Sequence, residues 1–395
     1  MKPRRILWAA VAGLPMLSIG AVPPGGATSG PSVAALSVPF TAGRDGFDTY
    51  RIPALAVTPG GTVLAFAEGR ASRRDQSHNT IVLRRSTDGG KTWGPLQVVA
   101  DHRPDSLNNP TVVVLAGTER VLVVFQRYPA DRREATVTDG VAGNTTCLCF
   151  MTASDDDGKT WSDPVDITPQ VKRPTAATSL ASGPGVGIQL HRGPHAGRIV
   201  IPFNQGPLKT CEVYTAFSDD GGRSWRYGEL APVGPDGRGN ETQVVELSDG
   251  RMLMSSRPSS GRAVRKQAVS DDGGSTWSVL HDEPALPDPH CQGSLIRLDV
   301  PATRPTTAPS PAGRLLFAHP ADEHGRTHGT IYVSDDDGKT WPTPLQLVTG
   351  KFAYCCLAVL PDGSVGCLYE AEDYRRIELL KVTMNRTGGL TASAP

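Results

Sequence analysis

The chain has 395 residues, and its 40 Lys and Arg balance 40 Asp and Glu, so the formal net charge is zero. Without a global field it is not built to gather nucleic acid or anionic membrane on charge alone. Its 38% hydrophobic content excludes disorder over most of the length, and 43 Gly with 34 Pro punctuate it too densely for long helices.

The N-terminus has the form of an export signal. Lys2, Arg4 and Arg5 precede an apolar run from Ile6 to Val22, broken by Gly13 and Pro15, with small residues at Gly25, Gly26 and Ala27 where a peptidase could cut. The run is short and twice interrupted for a membrane span of about 20 residues. We therefore expect residues 1–37 to be a signal peptide and leader of a secreted, extracellular protein with no stable membrane association. The Arg pair leaves a twin-arginine route open.

Beyond the leader, one octapeptide recurs. Ser86 to Trp93, Ser154 to Trp161, Ser218 to Trp225, Ser270 to Trp277 and Ser334 to Trp341 all fit S-x-D-x-G-x-[ST]-W, with starts 52 to 68 residues apart. Asp in a turn accepts bonds from the backbone N–H groups that follow it, and Gly supplies positive φ, so Asp88, Asp156, Asp220, Asp272 and Asp336 are assigned to hairpin turns. The Trp is expected to bury its ring against a neighbouring sheet. Calcium loops are the competing reading, but the bidentate Glu of such a loop is missing, and no metal is expected.

Between these turns, strand character runs over Thr111 to Leu115, Val121 to Phe125, Arg198 to Phe203, Thr242 to Leu247, Arg251 to Ser255, Arg314 to Ala318, Leu357 to Leu360 and Ser364 to Tyr369. Ala302 to Pro311 reads as a loop. Roughly 350 residues divided by a period near 60 gives about six sheets, so the expected fold is all-β, a six-bladed β-propeller of four-stranded antiparallel sheets over residues 38–386. The last blade would close when a strand near Val38 joins the C-terminal strands, and residues 387–395 would form a flexible tail. Seven Cys in an exported chain are compatible with one to three disulfides and at least one free thiol, with no pairing to be read from their spacing.

Tyr50-Arg51-Ile52-Pro53-Ala54-Leu55, followed in order by five Asp boxes, resembles the exo-α-sialidase (neuraminidase) family. Glu68-Gly69-Arg70, Asp75, Asn240-Glu241-Thr242, Ser255-Ser256-Arg257, Gly325-Arg326, Ala353-Tyr354 and Leu368-Tyr369-Glu370 extend the resemblance along the mature chain. It implies an enzyme that removes terminal sialic acid from glycans, glycoproteins and gangliosides, acting as a monomer without cofactor. Arg51, Arg257 and Arg326 would grip the sugar carboxylate, which suits the planar donor fork of a guanidinium. Taken singly, each Arg reads as a surface charge or an ion pair between blades.

The same resemblance makes Tyr354 the nucleophile, Glu241 its base, Asp75 the general acid and Glu370 the group that holds Arg51. A phenol suits this task because the anomeric carbon of sialic acid bears a carboxylate that would repel an anionic nucleophile. Read from the strand alone, Tyr354 is also a core aromatic on the face of Phe352. The local pair Arg73-Arg74 would favour the ionised form of Asp75 over the acid. Arg70 and Asn109 would contact the sugar's 4-hydroxyl, with Asn109 standing where many relatives have Asp. The remaining alternatives are a non-catalytic sialic-acid-binding propeller and a trans-sialidase, the latter needing aromatic rings to stack an acceptor, for which only Tyr such as Tyr128 remains.

Overall fold

A computed structural model describes residues 35–384, apart from 176, 208 and 299–312, together with 390–392. The first strand, β1 (Ala35–Thr41), pairs with a strand from the far end of the chain. One sheet follows from β2 (Thr49–Val57), β3 (Val63–Arg70), β4 (Asn79–Ser86) and β5 (Gln97–Ala100). The next holds β6 (Ser106–Val114), β7 (Val121–Tyr128), β8 (Leu148–Ser154) and β9 (Val165–Asp166). A third is built from β10 (Ser179–Ser182), β12 (Ile188–Gln189), β13 (Ile199–Gly206), β14 (Glu212–Ser218) and β15 (Arg226–Tyr227), while β11 (Gly185–Val186) crosses back to pair in parallel with β6. A fourth contains β16 (Gly239–Glu246), β17 (Met252–Pro258), β18 (Val264–Ser270) and β19 (His281–Pro287).

The remaining strands are β20 (Ser294–Arg297), β21 (Leu315–Pro320), β22 (Thr327–Ser334), β23 (Thr343–Val359), β24 (Val365–Ala371), β25 (Arg376–Met384) and β26 (Leu390–Ala392). They form one path through β23, whose first half pairs with β22 up to Lys351 and whose second half pairs with β24 from Phe352. β1 lies against β25, as expected for a chain closed by its own N-terminal strand. The fold is all-β, as expected; two of its sheets are four-stranded, two have five strands, and the strands from β20 onward form one longer sheet with β1.

Each apolar core lies between consecutive sheets. Leu64 and Phe66 of β3 pack with Val121 and Val123 of β7, Leu122 with Ile201 and Tyr214, Val200 with Met252, Leu253 with Phe317, and Ile331 with Leu357. The last strands then meet the first, through Leu368 and Leu379 against Val63 and Ala65. Every sheet thus covers the face its predecessor leaves open, which removes exposed apolar faces at both ends of the array.

The octapeptides are the clamps of this arrangement. In the third, the Asp220 carboxylate accepts Arg223 N at 3.0 Å, Ser224 N at 2.9 Å, Ser224 Oγ at 2.6 Å and Ser218 Oγ at 2.8 Å. Asp88, Asp156, Asp272 and Asp336 repeat the pattern, so the turn assignment holds on its hydrogen bonds. Gly222 has φ of +86°, and a Cβ there would come within 2.7 Å of Leu122 on the preceding sheet. Gly is required both by dihedral and by this close approach. Trp225, Trp277 and Trp341 are buried, while Trp93 and Trp161 are half-buried. Trp161 meets Phe66 edge-on at 5.8 Å, and Trp93 Nε1 donates to Ser37 on β1 at 2.9 Å.

Several expectations need correction. All seven cysteines are free and buried, so the one to three disulfides are not formed. Adjacent Cys355 and Cys356 point to opposite faces of β23 and enter different cores, and Cys147 and Cys149 share one core as small apolar side chains. The tail is not wholly flexible, because β26 pairs with β25 from Val382↔Ala392 to Met384↔Leu390. The leader expected over 1–37 overlaps β1 at residues 35–37, while its first 34 residues, like the loop expected at 302–311, lie outside the described residues.

Replacing Asp220 with Ala removes the acceptor for four donors and is expected to lower unfolding free energy by about 1–2 kcal/mol. Those hydrogen bonds hold the Asp220 pKa down at about 2. Its contribution is therefore complete above the ordinary carboxylate range and lost as pH falls towards 2. Urea midpoints should show the wild-type advantage shrinking from pH 5 downward.

Candidate active site

The site forms where the first strands of several sheets end, and each of these strands carries one extra residue there. Arg51 pairs with Glu68 and Ala54 with Phe66, so three steps on β2 face two on β3. The same bulge lies between Asn108 and Thr111 of β6, Gly239 and Thr242 of β16, and Phe352 and Cys355 of β23. A bulge re-aims a side chain off the alternating pleat. It is how Arg51, Asn109, Glu241 and Tyr354 come to face one cavity. Ile52 and Asn109 have φ of 57° and 55°, a left-handed conformation that is costly for β-branched Ile.

The cavity has a volume of about 360 Å³ and is lined by Arg51, Arg70, Asp75, Asn109, Glu241, Arg257, Arg326 and Tyr354. All eight sequence-predicted groups expected to touch substrate are brought together. The ninth, Glu370, is 1% exposed beneath them. Its carboxylate accepts Arg51 Nε at 2.9 Å, Arg51 Nη2 at 3.0 Å, Ile52 N at 2.8 Å and Tyr354 N at 3.2 Å.

Tyr354 is 6% exposed, and its hydroxyl donates to Glu241 Oε1. Arg257 Nη1 bridges the pair, reaching Glu241 Oε2 at 2.7 Å and the Tyr354 oxygen at 3.0 Å. Burial, and then the Glu241 charge, push the Tyr354 pKa up, while Arg257 and Arg326 oppose them. The phenol is protonated at rest, with a carboxylate placed to receive its proton. Phe352 stacks instead on Tyr369 at 4.7 Å, so the bulge separates the core aromatic from the site aromatic.

Asp75 is held by Arg70 Nη1 at 2.9 Å and lies 3.6 Å from Arg51 Nη1. Partial burial works against its charge, but Arg70, followed by Arg51 and Arg326, keeps its pKa below the ordinary value. The neighbours expected to matter are different ones, for Arg73 turns away to the carbonyl and carboxylate of Asp373. Arg70 is itself fixed by buried Glu68 at 2.7 Å, which also accepts Asn109 N at 2.6 Å. Asn109 thus presents its side chain from a backbone held by a charged acceptor.

Sequence reasoning named Glu68 without giving it a role, and missed Asn108 and Glu134. Asn108 Nδ2 donates to the Asp75 carbonyl at 2.8 Å and steadies that loop. Glu134 lines the cavity from a segment without a recognisable motif. Burial pushes its pKa up to about 7, helped by the charges of Glu241 and Asp75. Only the three-dimensional closeness of those carboxylates reveals it. Because the folded pKa lies above the unfolded one, Glu134 contributes fully at low pH and loses its contribution as pH rises through 7. Glu134→Gln should therefore gain stability relative to wild type between pH 4.5 and 8, by roughly 3 kcal/mol in the unfolding free energy read from denaturant titrations. A pH-independent difference would reject this assignment.

Known proteins share this sequence and fold over most of the chain. Residues 61–367 match the BNR repeat-like domain family. The chain is 40% identical over 344 residues to a sialidase of Micromonospora viridifaciens, covering 83% of this chain and 50% of that protein. It is 30% identical over 368 residues to mouse Sialidase-2, covering 87% of this chain and 94% of that one. The solved structure of the Hadza microbial sialidase Hz136 superposes with a TM-score of 0.76 at 30% identity, over 86% of this chain and 66% of that one. The chain thus spans about half the length of its Micromonospora relative, and its sheets are those of a β-propeller. On the strength of the matched domain and these relatives, the chain belongs to the sialidase family.

Proposed function

We propose that this protein is a secreted, retaining exo-α-sialidase with a six-bladed propeller, acting on terminal sialic acids of glycans, glycoproteins and gangliosides. The blade count follows if β23 is divided at Lys351 and Phe352, giving its two halves to separate blades. Secretion is supported by the basic start and apolar run of the leader. The observation that carries the activity is the convergence of Arg51, Arg257 and Arg326 on one cavity with the Tyr354–Glu241 pair.

The substrate carboxylate is received by the three guanidinium groups, each charge-assisted contact contributing about 1.5–3 kcal/mol. Tyr354 Oη attacks the anomeric carbon as its proton passes to Glu241, while protonated Asp75 gives its proton to the glycosidic oxygen and the aglycone leaves. Asp75 then takes a proton from water, the water oxygen attacks the anomeric carbon, and the departing phenolate recovers its proton from Glu241. Two inversions give net retention. Arg70 and Asn109 bind the 4-hydroxyl, and Glu370 holds Arg51.

Asp75 must be protonated to act, yet Arg70 and Arg51 favour its charge in the free site. The substrate carboxylate competes for Arg51 and brings a negative charge close to Asp75, which raises its pKa on binding. The alkaline limb of kcat should consequently lie at higher pH than that of kcat/KM. Coincident limbs would argue against this switch.

Transfer to a second sugar is less favoured, because Tyr128 is 3% exposed with its hydroxyl committed to the Leu180 carbonyl at 3.1 Å. It offers no open ring for an acceptor. The decisive test is incubation with α2,3- and α2,6-sialyllactose while NMR follows the first-formed anomer of the free sugar. Release of the α-anomer is expected, and the β-anomer first would reject retention. Tyr354→Phe should lose at least about a thousandfold in kcat without unfolding, whereas near-wild-type turnover would reject the nucleophile. Absence of turnover in the wild type would favour a binding propeller.

A further inference from the structure

Beside the cavity, the hairpin between β24 and β25 holds three consecutive non-Gly residues in the left-handed region, Glu372, Asp373 and Tyr374, with φ of 48°, 55° and 68°. Each such residue costs about 1 kcal/mol or more, so the conformation persists only if surrounding contacts determine it. Thr49 Oγ1 donates to the Tyr374 carbonyl at 3.1 Å, and Arg73 holds Asp373. The hairpin is pinned to the first sheet from two sides.

The conformation delivers one side chain. The Tyr374 ring lies 4.4 Å from the Arg51 guanidinium, and its hydroxyl accepts Arg326 Nη1 at 3.3 Å. Arg51 already has a bidentate carboxylate partner in Glu370. Arg326 is different: among the described residues its hydrogen bonds go only to the Tyr374 hydroxyl and the His290 carbonyl, and no carboxylate lies within ion-pairing distance. A guanidinium kept free for an incoming anion needs neutral groups to fix its orientation. A phenol does so without competing for the charge.

We infer, on the sialidase reading given above, that Tyr374 is a positioning residue that aligns Arg51 and Arg326 for the sugar carboxylate, and that the strained hairpin exists to hold it there. The ring restrains Arg51 by cation–π attraction and the hydroxyl restrains Arg326 by a neutral hydrogen bond. Neither group contacts the reacting atoms.

The test uses Tyr374→Gly, which relieves the positive φ, and Tyr374→Phe, which keeps the ring. A fluorogenic sialoside gives KM and kcat. The unsaturated 2,3-didehydro analogue of sialic acid and its methyl ester give the preference for a free carboxylate. For the Gly variant we expect KM to rise about tenfold, kcat to stay within about threefold, and the carboxylate-to-ester affinity ratio to fall about tenfold. Its thermal midpoint should not drop, since strain is released as contacts are lost. The Phe variant should keep the ratio within about threefold of wild type.

A Gly variant with the wild-type ratio would overturn the inference, as would loss of affinity that merely tracks a fallen thermal midpoint. Should the Gly variant fail to fold, Tyr374→Asn, which also tolerates this φ, is read by the same criteria. Wild-type protein that neither binds the analogue nor turns over the sialoside would instead sink the sialidase reading itself, and this inference with it.

Discussion

A single buried carboxylate, that of Glu370, accepts hydrogen bonds from the Arg51 side chain, the Ile52 amide and the Tyr354 amide. The donors come from β2 near the start of the chain and β23 near its end, and Glu370 itself stands on β24. A buried charge must be fully paired to be tolerated, and here the pairing fixes the carboxylate receptor relative to the phenol. The chemistry of the site depends on this register. It is available only because the last strands fold back onto the first, packing Leu368 and Leu379 against Val63 and Ala65.

Ring-like closure also explains where strain can be stored. Ile52 and Asn109 occupy left-handed backbone at bulges, and the hairpin at 372–374 adds three more such residues. Each is a conformation that an isolated strand would relax. Here every bulged strand is gripped on both faces by cores shared with its neighbours, so relaxing one bulge would disturb two sheets. Rigid sheets bear the strain while their loop ends present the chemistry.

The repeat made the architecture legible from sequence, because Asp, Gly and Trp in a fixed octapeptide have few other structural uses. The site was legible only by resemblance, and the physical reason lies in the bulges. Strand patterning located Thr111, Thr242 and Leu357 as starts, whereas β6, β16 and β23 begin at Ser106, Gly239 and Thr343. The unrecognised portions hold Asn109, Glu241 and Tyr354. An extra residue breaks the period of two just where a side chain is re-aimed, so the signal that finds a strand fails at the functional end. Glu134 and Tyr374 were missed for another reason: each matters through groups distant in sequence. The cysteines misled because export does not by itself pair thiols: Cys147 with Cys149 and Cys355 with Cys367 share cores, yet all seven stay free as small buried apolar side chains.

The charge pattern of the cavity bears on substrate class. Four arginines face Asp75, Glu134 and Glu241. Were all three carboxylates ionised, an anionic ligand would meet a nearly balanced field. Their surroundings separate them: Arg70 and Arg51 hold Asp75 in its charged form, whereas burial among like charges brings Glu134 to about 7. Near neutral pH Glu134 is then about half protonated, and with Glu370 paired to Arg51, Glu68 to Arg70 and Glu241 to Arg257, the guanidinium left without a carboxylate partner among the described residues is that of Arg326. On the proposed reading an acidic sugar supplies Arg326 with a carboxylate, and a neutral sugar of equal size leaves it without its anion. Discrimination against the neutral sugar thus arises from an unpaired, partly buried guanidinium as much as from any favourable bond to the acidic one, which is the stronger form of selectivity a polar pocket can exert.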